Sequence, residues 1–345
     1  LSGTFKTECR SLQVLPSGGT CNTLHSIFRK GTSMNSQLET VVFEMEKAVR
    51  GKRGVIEHIL AALLAEGHIL LDDMPGVGKT TLAVALSRAV DLRYRRVQFT
   101  PDVMPSDIVG FSVYEPQSGQ FVYHEGAATH ANLLLSDEIN RTSSKTQSAL
   151  LEAMEERQIT VDGRTYPLEK PFVVIATQNN VGTAGTQFLP YAQVDRFMVR
   201  LSVGYPDHDA QMALLRDRLS ENPLDAVEQV LTREELLAMQ ADVRAVQTGD
   251  ALLDYITRLT MASREHPNVE VGVSPRGALL LCQMAKARAY LLGRDFAVSE
   301  DVQAVFEPVC AHRLIPAAKA RLSGVCATDI ARGLLQSVPN PDYMA

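Results

Sequence analysis

The chain has 345 residues, enough for about two domains, and its 45% hydrophobic and 21% charged residues are proportions typical of globular proteins. A formal net charge of -6 disfavours a protein that binds nucleic acid or an anionic membrane over its whole surface. The five cysteines show no C-x-x-C spacing, which disfavours a disulfide framework or a zinc site. No apolar run is long enough to cross a membrane. We therefore expect a cytoplasmic protein without membrane insertion.

Residues 1–33 differ from the rest of the chain, because they are rich in Ser, Thr and Gly and show no apolar periodicity. A helical pattern begins only after Met34, which resembles a natural start. We expect the first segment to be an extension that is disordered or has been added to the natural sequence, and we assign residues 1–37 to it.

The segment from residue 38 to residue 206 alternates helical patterns with short buried strands. Helices are predicted over 38–50, 55–66 and 145–158, and strands over 69–71, 95–99, 132–138, 172–176 and 199–203. Polar turns predict β-hairpins at 111–123 and 159–166. This alternation predicts an α/β core with a parallel sheet and helices on both faces.

After residue 206 the apolar spacing is helical almost throughout. We predict helices over 208–219, 232–246, 249–265, 275–292, 299–313 and 326–336. The chain should therefore contain an α/β core over residues 38–206 and a small all-helical domain over residues 207–345.

The stretch from His68 to Thr81 has the order strand, glycine-bearing loop and helix, which forms a phosphate cradle. Gly76 and Gly78 allow backbone N–H groups to converge on an anion. Lys79 would reach the β- and γ-phosphates of a nucleotide, and Thr80 would bind Mg²⁺. Asp73 stands where the GxxxxGK[ST] pattern has its first glycine, and we expect nucleotide binding to survive this change. The predicted nucleotide-binding residues are Pro75, Gly76, Val77, Gly78, Lys79, Thr80, Thr81 and Asp137.

Asp137 and Glu138 follow a buried strand, so both carboxylates should lie at the carboxyl edge of the sheet, where ligands bind in open α/β folds. Asp137 would hold Mg²⁺ together with Thr80, and Glu138 would polarise the attacking water. An Asp-Glu pair taken alone is more often a strand that ends in solvent. The phosphate loop upstream makes the catalytic role the better interpretation.

Three further residues are weaker candidates when each is taken alone. Asn179 follows the buried strand 172–176 and would lie between the γ-phosphate and the attacking water. Arg196 and Arg276 each carry the group that usually stabilises charge on a transferring phosphoryl. However, Asn is common at strand ends, most arginines are on the surface, and the Ser274-Pro275 pair before Arg276 is an ordinary helix start.

Taken together and in this order, the phosphate loop, the segment LLLSDEINR, Asn179, residues 189–197 and the segment VSPR resemble AAA+ ATPases of the MoxR family. The resemblance covers residues 38–341 and implies a P-loop NTPase core with a helical lid. The two hairpins are similar to family inserts, one in helix 2 and one before sensor 1. Asn180 and Tyr191 depart from the residues that many relatives have. The resemblance assigns Walker A to Gly76, Gly78, Lys79 and Thr80, Walker B to Asp137 and Glu138, sensor 1 to Asn179, the arginine finger to Arg196 and sensor 2 to Arg276.

The resemblance also implies Mg²⁺-dependent hydrolysis of ATP to ADP and phosphate in a homo-oligomeric ring, usually a hexamer. An arginine finger supplies charge to a neighbour's nucleotide, so both Arg196 and Arg276 should matter in the assembly. Members of the family act as chaperone-like machines in the maturation, assembly or metal loading of protein complexes, often with a von Willebrand factor A domain partner. We expect ATP and Mg²⁺ as cofactors, a protein client and no nucleic acid.

Other functions are weighed against this one. A regulatory nucleotide-binding scaffold with little turnover has no need of Glu138, Asn179 and Arg196. The ATPase subunit of a metal chelatase has a similar architecture and stays an alternative. A DNA-remodelling ATPase is disfavoured by the acidic balance, and a small-molecule kinase by the helical lid that carries Arg276.

Overall fold

A five-stranded parallel sheet forms the centre of the computed structural model, which describes residues 34–179, 189–220 and 222–341. Every neighbouring pair of its strands is parallel. All the strands therefore end at the same edge of the sheet and begin at the other. In side-by-side order the strands are β2 (Tyr94–Gln98), β5 (Leu133–Asp137), β8 (Val173–Gln178), β1 (Ile69–Asp72) and β9 (Val199–Leu201).

Apolar side chains cover both faces of this sheet. Leu71 and Leu135 belong to the buried cluster on the first face, and Leu70 and Leu134 belong to the cluster on the second face. Successive residues of a strand point to opposite faces. Because both faces are buried, the strands appear in the sequence as continuous apolar runs, which is the pattern that predicted them.

Three helices cover the first face, namely α1 (Ser36–Ala48), α2 (Arg53–Leu64) and α3 (Lys79–Ala89). Helix α1 begins at Ser36, where the Asn35 side chain accepts a hydrogen bond from the Gln37 N–H at 3.1 Å. This start lies within the range 1–37 that was assigned to the extension. The remainder of that prediction, over residues 1–33, lies outside the described residues.

The second face is covered by helices and by two hairpins. Both predicted hairpins are confirmed, and Tyr123 of the first stacks on Tyr166 of the second with ring centroids 4.3 Å apart. The sequence does not predict helices α4 and α6, because each has five residues or fewer and is too short to show a helical period. The elements are α4 (Pro105–Val109), β3 (Phe111–Glu115), β4 (Gln120–His124), α5 (Ser144–Glu156), β6 (Gln158–Val161), β7 (Arg164–Pro167) and α6 (Tyr191–Val194).

The carboxyl-terminal region is mostly helical, as predicted. It also holds a short antiparallel sheet of β10 (Val269–Val271) and β11 (Ile315–Pro316), so the prediction of an all-helical domain is wrong in this detail. Strands this short have no readable alternation. The helices are α7 (His208–Ser220), α8 (Arg233–Ala245), α9 (Asp250–Glu265), α10 (Pro275–Leu291), α11 (Ser299–Cys310), α12 (Ala318–Leu322) and α13 (Ala327–Ser337).

This helical region packs on the first face of the sheet. Helix α10 contacts α2, helix α11 contacts β9, and one continuous buried cluster includes residues of both regions. The predicted boundary at residue 206 falls in the connection between β9, which ends at Leu201, and α7, which begins at His208. The architecture confirms the predicted class, an α/β core with a helical lid. Among the described residues, no helix combines the length and apolarity that crossing a bilayer requires.

His68 directly precedes β1, is buried, and forms hydrogen bonds with both β8 and α5. Its Nδ1 accepts a hydrogen bond from the Val174 N–H at 3.0 Å, and its Nε2 donates to the Met154 carbonyl at 3.1 Å. Burial, reinforced by the positive charge of Arg157, lowers the pKa of His68 from 6.5 to about 3. The imidazole is therefore neutral in the folded protein near neutral pH.

We predict that His68 makes the folded state less stable as the pH falls from 6.5 towards 3. In this interval the unfolded chain takes up a proton on His68 and the folded protein does not, so the free energy of unfolding falls by about 1.4 kcal/mol per pH unit. Above pH 6.5 the contribution is complete.

Urea denaturation at neutral pH and at about 1.5 units below the unfolded-state pKa measures this effect. The difference in unfolding free energy between wild type and His68→Gln should shrink by about 2 kcal/mol at the lower pH. His208→Gln, at an exposed histidine, is the control. A difference that does not change with pH would contradict the prediction.

Candidate active site

The loop between β1 and α3 has the backbone geometry of an anion cradle. Gly76 and Gly78 adopt positive φ values of 84° and 93°, which side chains with a Cβ rarely adopt. Gly78 is the N-cap of α3, so the free N–H groups of the first helical turn and the positive end of the helix dipole face the loop. A phosphate group fits such a helix start.

Lys79 is buried at this helix start, with only 7% of its surface exposed. Its Nζ donates to the Asp73 carbonyl at 2.8 Å, to the Gln178 carbonyl at 3.1 Å and to the Asn179 Oδ1 at 2.7 Å. Burial lowers the pKa of Lys79, and the negative charges of carboxylates such as Asp73 and Asp137 oppose this shift. The ammonium group is thus held between the loop and the end of β8.

Asp137, the last residue of β5, and Glu138, which follows it, lie close enough for their negative charges to act on Lys79. Asp137 Oδ1 accepts from the Thr177 hydroxyl at 2.6 Å, and its Oδ2 accepts from Arg96 at 2.7 Å. The Thr177 hydroxyl in turn accepts from the Glu138 N–H at 2.9 Å. Glu138 has a positive φ of 57°, an uncommon conformation for a residue with a side chain. Thr177 therefore orients both acidic residues at the end of the strand.

The Glu138 carboxylate is held by three donors. Oε1 accepts from the Asn179 amide at 2.8 Å, and Oε2 accepts from the Gln98 amide at 3.0 Å and from Arg141 at 2.7 Å. Since Asn179 also contacts Lys79, a direct chain of hydrogen bonds runs from Lys79 through Asn179 to Glu138. The structure brings these three predicted residues together.

Sequence reasoning missed Arg96, Gln98, Arg141 and Thr177. The polar side chains of Arg96 and Gln98 on β2 are the signal in the sequence, because β2 lies beside β5 in parallel register with Gln98 opposite Asp137. That register required the strand order of the sheet, which the chain order does not reveal.

The donor set of this site fits a magnesium ion. Mg²⁺ prefers oxygen ligands and is commonly held by one or two protein oxygens together with nucleotide phosphates. The Thr80 hydroxyl lies in the first turn of α3, and the Asp137 carboxylate ends β5 at the same edge of the sheet. These two predicted ligands supply the oxygens that such an ion needs.

Asp73 explains why the first glycine of the loop pattern is dispensable here. Asp73 has an ordinary negative φ, so its position does not require glycine. Its Oδ1 accepts from the Met74 N–H at 2.8 Å, and its Oδ2 accepts from the Ser202 hydroxyl at 2.8 Å and the Gly204 N–H at 2.6 Å. Partial burial would raise the pKa of Asp73, but these hydrogen bonds lower it overall. The side chain ties the phosphate loop to the segment that leads into the lid.

Arg196 and Arg276 lie at the opposite edge of the sheet. Glu155 forms an ion pair with Arg276, and its Oε2 lies 4.0 Å from the Arg196 Nε. Both arginines line a cavity of about 380 Å³ together with Gly67 and His68, which directly precede β1. A four-residue strand such as β1 spans about 13 Å. The structure therefore places the two arginines together but away from the phosphate loop of their own chain.

Comparison with known proteins agrees with this geometry. The family model described as "ATPase family associated with various cellular activities (AAA)" matches residues 68–199, and the AAA lid domain model matches residues 261–331. Chaperone MoxR1 of Mycobacterium tuberculosis is 36% identical over 89% of this chain and 83% of its own length. This chain belongs to the MoxR family of AAA+ ATPases.

Further relatives support this assignment. Protein MoxR of Methylorubrum extorquens is 32% identical over 86% of this chain and 93% of its own length. The uncharacterized protein YeaC of Bacillus subtilis is 41% identical over 88% of this chain and 95% of its own length. A solved structure from Cytophaga hutchinsonii, described as a "putative ATPase", superposes with a TM-score of 0.81 at 35% identity, covering 88% of this chain and 94% of its own.

Membership of the MoxR family confirms the resemblance seen in the sequence and the predicted fold. It shows an AAA-type nucleotide-binding protein related to chaperones. The roles of the individual residues, including Walker A, Walker B, sensor 1, sensor 2 and the finger, stay predictions.

We predict that Asp73→Gly, which restores the literal loop pattern, weakens the protein instead of improving it. The variant loses the hydrogen bonds to Ser202 and Gly204 and gains backbone freedom in the unfolded chain, so we expect a loss of about 1–3 kcal/mol in unfolding stability. Nucleotide affinity should also fall. Chemical denaturation and nucleotide titration measure the two effects, and Asp102→Gly in an exposed turn is the matched control. Equal or higher stability than wild type would count against this role of Asp73.

Proposed function

We propose that this protein hydrolyses ATP to ADP and phosphate with Mg²⁺ as cofactor. The observation that carries the proposal is the hydrogen-bonded chain from Lys79 through Asn179 to Glu138 at the mouth of the phosphate loop. It joins a cation for the phosphates, an amide that can sense the γ-phosphate and a carboxylate that can activate water. The family to which the chain belongs supports the same reaction.

Each residue has a definite task in this reaction. Lys79 and the N–H groups of the loop bind the β- and γ-phosphates, and Thr80 and Asp137 would hold the Mg²⁺ ion, which neutralises phosphate charge. Asn179 orients the attacking water, and Glu138 accepts its proton. Three donors occupy the oxygens of Glu138 in the nucleotide-free chain. For turnover, the attacking water has to replace one of these donors, such as the Asn179 amide on Oε1.

The nucleoside has a suitable cavity beside the loop. A cavity of about 750 Å³ is lined by Val55 of α2, Asp72 of β1, Ser202 after β9 and Ala304 of the lid helix α11. Ser202 also binds Asp73, so the cavity adjoins the phosphate loop. The buried Asp72 Oδ1 finds no hydrogen-bond partner within the described residues, and a ligand here could supply one. We place the base and ribose of the nucleotide in this cavity.

The two arginines support an assembly of several copies. Arg196 and Arg276 are too far along the sheet to serve their own phosphate loop, yet they line one cavity at the subunit surface. Guanidinium groups supplied by a second copy would stabilise the charge of the transition state. We propose a homo-oligomeric ring, a hexamer by family resemblance, in which each subunit completes the site of its neighbour.

The client of this machine is proposed to be a protein. One relative is named a chaperone, and the first hairpin exposes the apolar side chains of Phe111, Tyr114 and Phe121. The Tyr114 and Phe121 rings lie side by side on one face of the hairpin, with centroids 5.4 Å apart, and exposed apolar side chains of this kind suit protein contacts. Chaperone-like work in the maturation, assembly or metal loading of a protein complex, with a von Willebrand factor A domain partner, in the cytoplasm and without nucleic acid, is the function we propose.

A nucleotide-binding scaffold with little turnover is the second candidate. The three donors on Glu138 favour it, because they occupy the carboxylate oxygens that a water molecule would have to reach in the isolated subunit. The concentration dependence of hydrolysis separates the two functions, since an assembling ATPase gains specific activity with concentration and a scaffold does not.

We predict that Glu138→Gln binds ATP with an affinity within about threefold of wild type but loses at least about a hundredfold in turnover, because the amide cannot accept a proton. Steady-state phosphate release and nucleotide titration measure the two quantities. Glu156→Gln, an exposed change of the same charge on α5, should behave as wild type. Undiminished turnover in Glu138→Gln would remove Glu138 as the base.

We predict that Arg196→Ala and Arg276→Ala each lower turnover about tenfold or more without weakening ATP binding, because neither arginine faces its own phosphate loop. Mixing either variant with Lys79→Ala subunits should restore part of the activity, since the mixed ring joins an intact loop to intact arginines. A Lys79→Ala partner that also carries the same arginine change is the control and should restore nothing. Failure to restore activity at every mixing ratio would contradict action in trans.

A further inference from the structure

Arg313 is the largest fully buried side chain among the described residues, with no exposed surface. It follows lid helix α11, yet most of its hydrogen bonds go to the core. Nε donates to the Asp195 Oδ1 at 2.8 Å, and Nη2 donates to the carbonyls of Asp195 at 2.8 Å and Phe197 at 2.6 Å. Nη1 donates to the Met198 carbonyl at 3.2 Å. One guanidinium of the lid thus holds a short segment of the core from several sides.

The segment held in this way carries Arg196. We call residues 195–198 the arginine loop. Arg313 contacts the residues on both sides of Arg196 and leaves the Arg196 side chain free to point into the cavity that it shares with Arg276. The remaining hydrogen bonds of the guanidinium, to Val309 and His312, lie within the lid. The buried guanidinium of Arg313 therefore joins the lid to the arginine loop by hydrogen bonds on both sides.

The hydrogen bonds around Arg313 also extend, through Asp195, to the helix that carries Arg276. The Asp195 carboxylate, which binds Arg313 through Oδ1, accepts a hydrogen bond from the Ser274 hydroxyl through Oδ2 at 3.3 Å. Ser274 caps α10 by accepting from the Gly277 N–H at 3.0 Å, and Arg276 lies in the first turn of that helix. Asp195 thus links the loop of Arg196 to the helix of Arg276.

Stability alone gives little reason for a buried ion pair at this place. Well-packed apolar residues are often as stabilising as a buried ion pair, whereas the fork of a guanidinium fixes one geometry of its acceptors. By contrast, the ion pair of Glu155 with Arg276 is exposed, and exposed pairs contribute about 0–1 kcal/mol. The arginines are thus placed by the buried hydrogen bonds around Arg313 and not by their surface partner.

We propose that Arg313 and Asp195 are positioning residues that hold Arg196 and Arg276 as one rigid anion site for the nucleotide of a neighbouring copy. This inference rests on the proposed hydrolysis in trans. It adds that the contact of the lid with the arginine loop, which leads directly into β9 of the core, determines whether a neighbour's site is complete.

The test uses the full chain with Arg313→Lys, which keeps the charge but loses the fork, and Asp195→Asn, which keeps the shape but loses the charge. For each variant, cooperative thermal unfolding, ATP affinity and turnover are measured. Turnover should fall about tenfold or more, while ATP affinity stays within about threefold, because the phosphate loop is untouched. If Arg313→Lys does not fold, Asp195→Asn decides. Arg321→Lys, at an exposed lid arginine, is the matched control.

Mixing with Lys79→Ala subunits separates positioning from a general loss of structure. These subunits cannot use their own loops but offer intact arginines, so they should raise the turnover of folded Arg313→Lys about fivefold or more. A folded variant with normal turnover, or a low turnover that mixing does not raise, would overturn the inference alone. A wild type that hydrolyses no ATP at any concentration would overturn the proposed function and this inference with it.

Discussion

The parallel direction of every strand in the central sheet separates the two groups of charged residues in this protein. Strands that run the same way place all their carboxyl ends at one edge, where Lys79, Glu138 and Asn179 form a hydrogen-bonded chain. Arg196 and Arg276 lie at the other edge, where the strands begin. A sheet of this kind cannot bring its own two edges together, and the proposed ring would join the carboxyl edge of one copy to the amino edge of the next.

Buried hydrogen bonds give each edge a fixed geometry. At the carboxyl edge, the Thr177 hydroxyl donates to Asp137 and accepts from the Glu138 backbone, so one side chain sets the orientation of two acidic residues. At the amino edge, Arg313 and Asp195 do the equivalent work for the arginine loop. In both places a group outside the proposed chemistry fixes the positions of the residues that would carry it.

The lid is connected directly to the amino edge and, through the segment that precedes it, to the carboxyl edge. Asp73 of the phosphate loop binds Ser202 and Gly204, which lead into the first lid helix, and Arg313 of the lid binds the arginine loop. A change at the phosphate loop and a change at the arginine cavity therefore meet in the same helical domain. In the proposed ring, this arrangement offers a physical route by which nucleotide binding in one subunit alters the surface that faces the next.

The sequence by itself determined the α/β class, both hairpins and the position of the phosphate loop. These features depend on local patterns, such as apolar runs buried on both faces, an Asp-Gly turn and glycines at positions with positive φ. Only the tertiary structure decided the contacts of Gln98 with Glu138, of Asp73 with Gly204 and of Arg313 with Asp195. Their partners are 40, 131 and 118 residues apart, and no local pattern encodes contacts that arise when distant segments pack together.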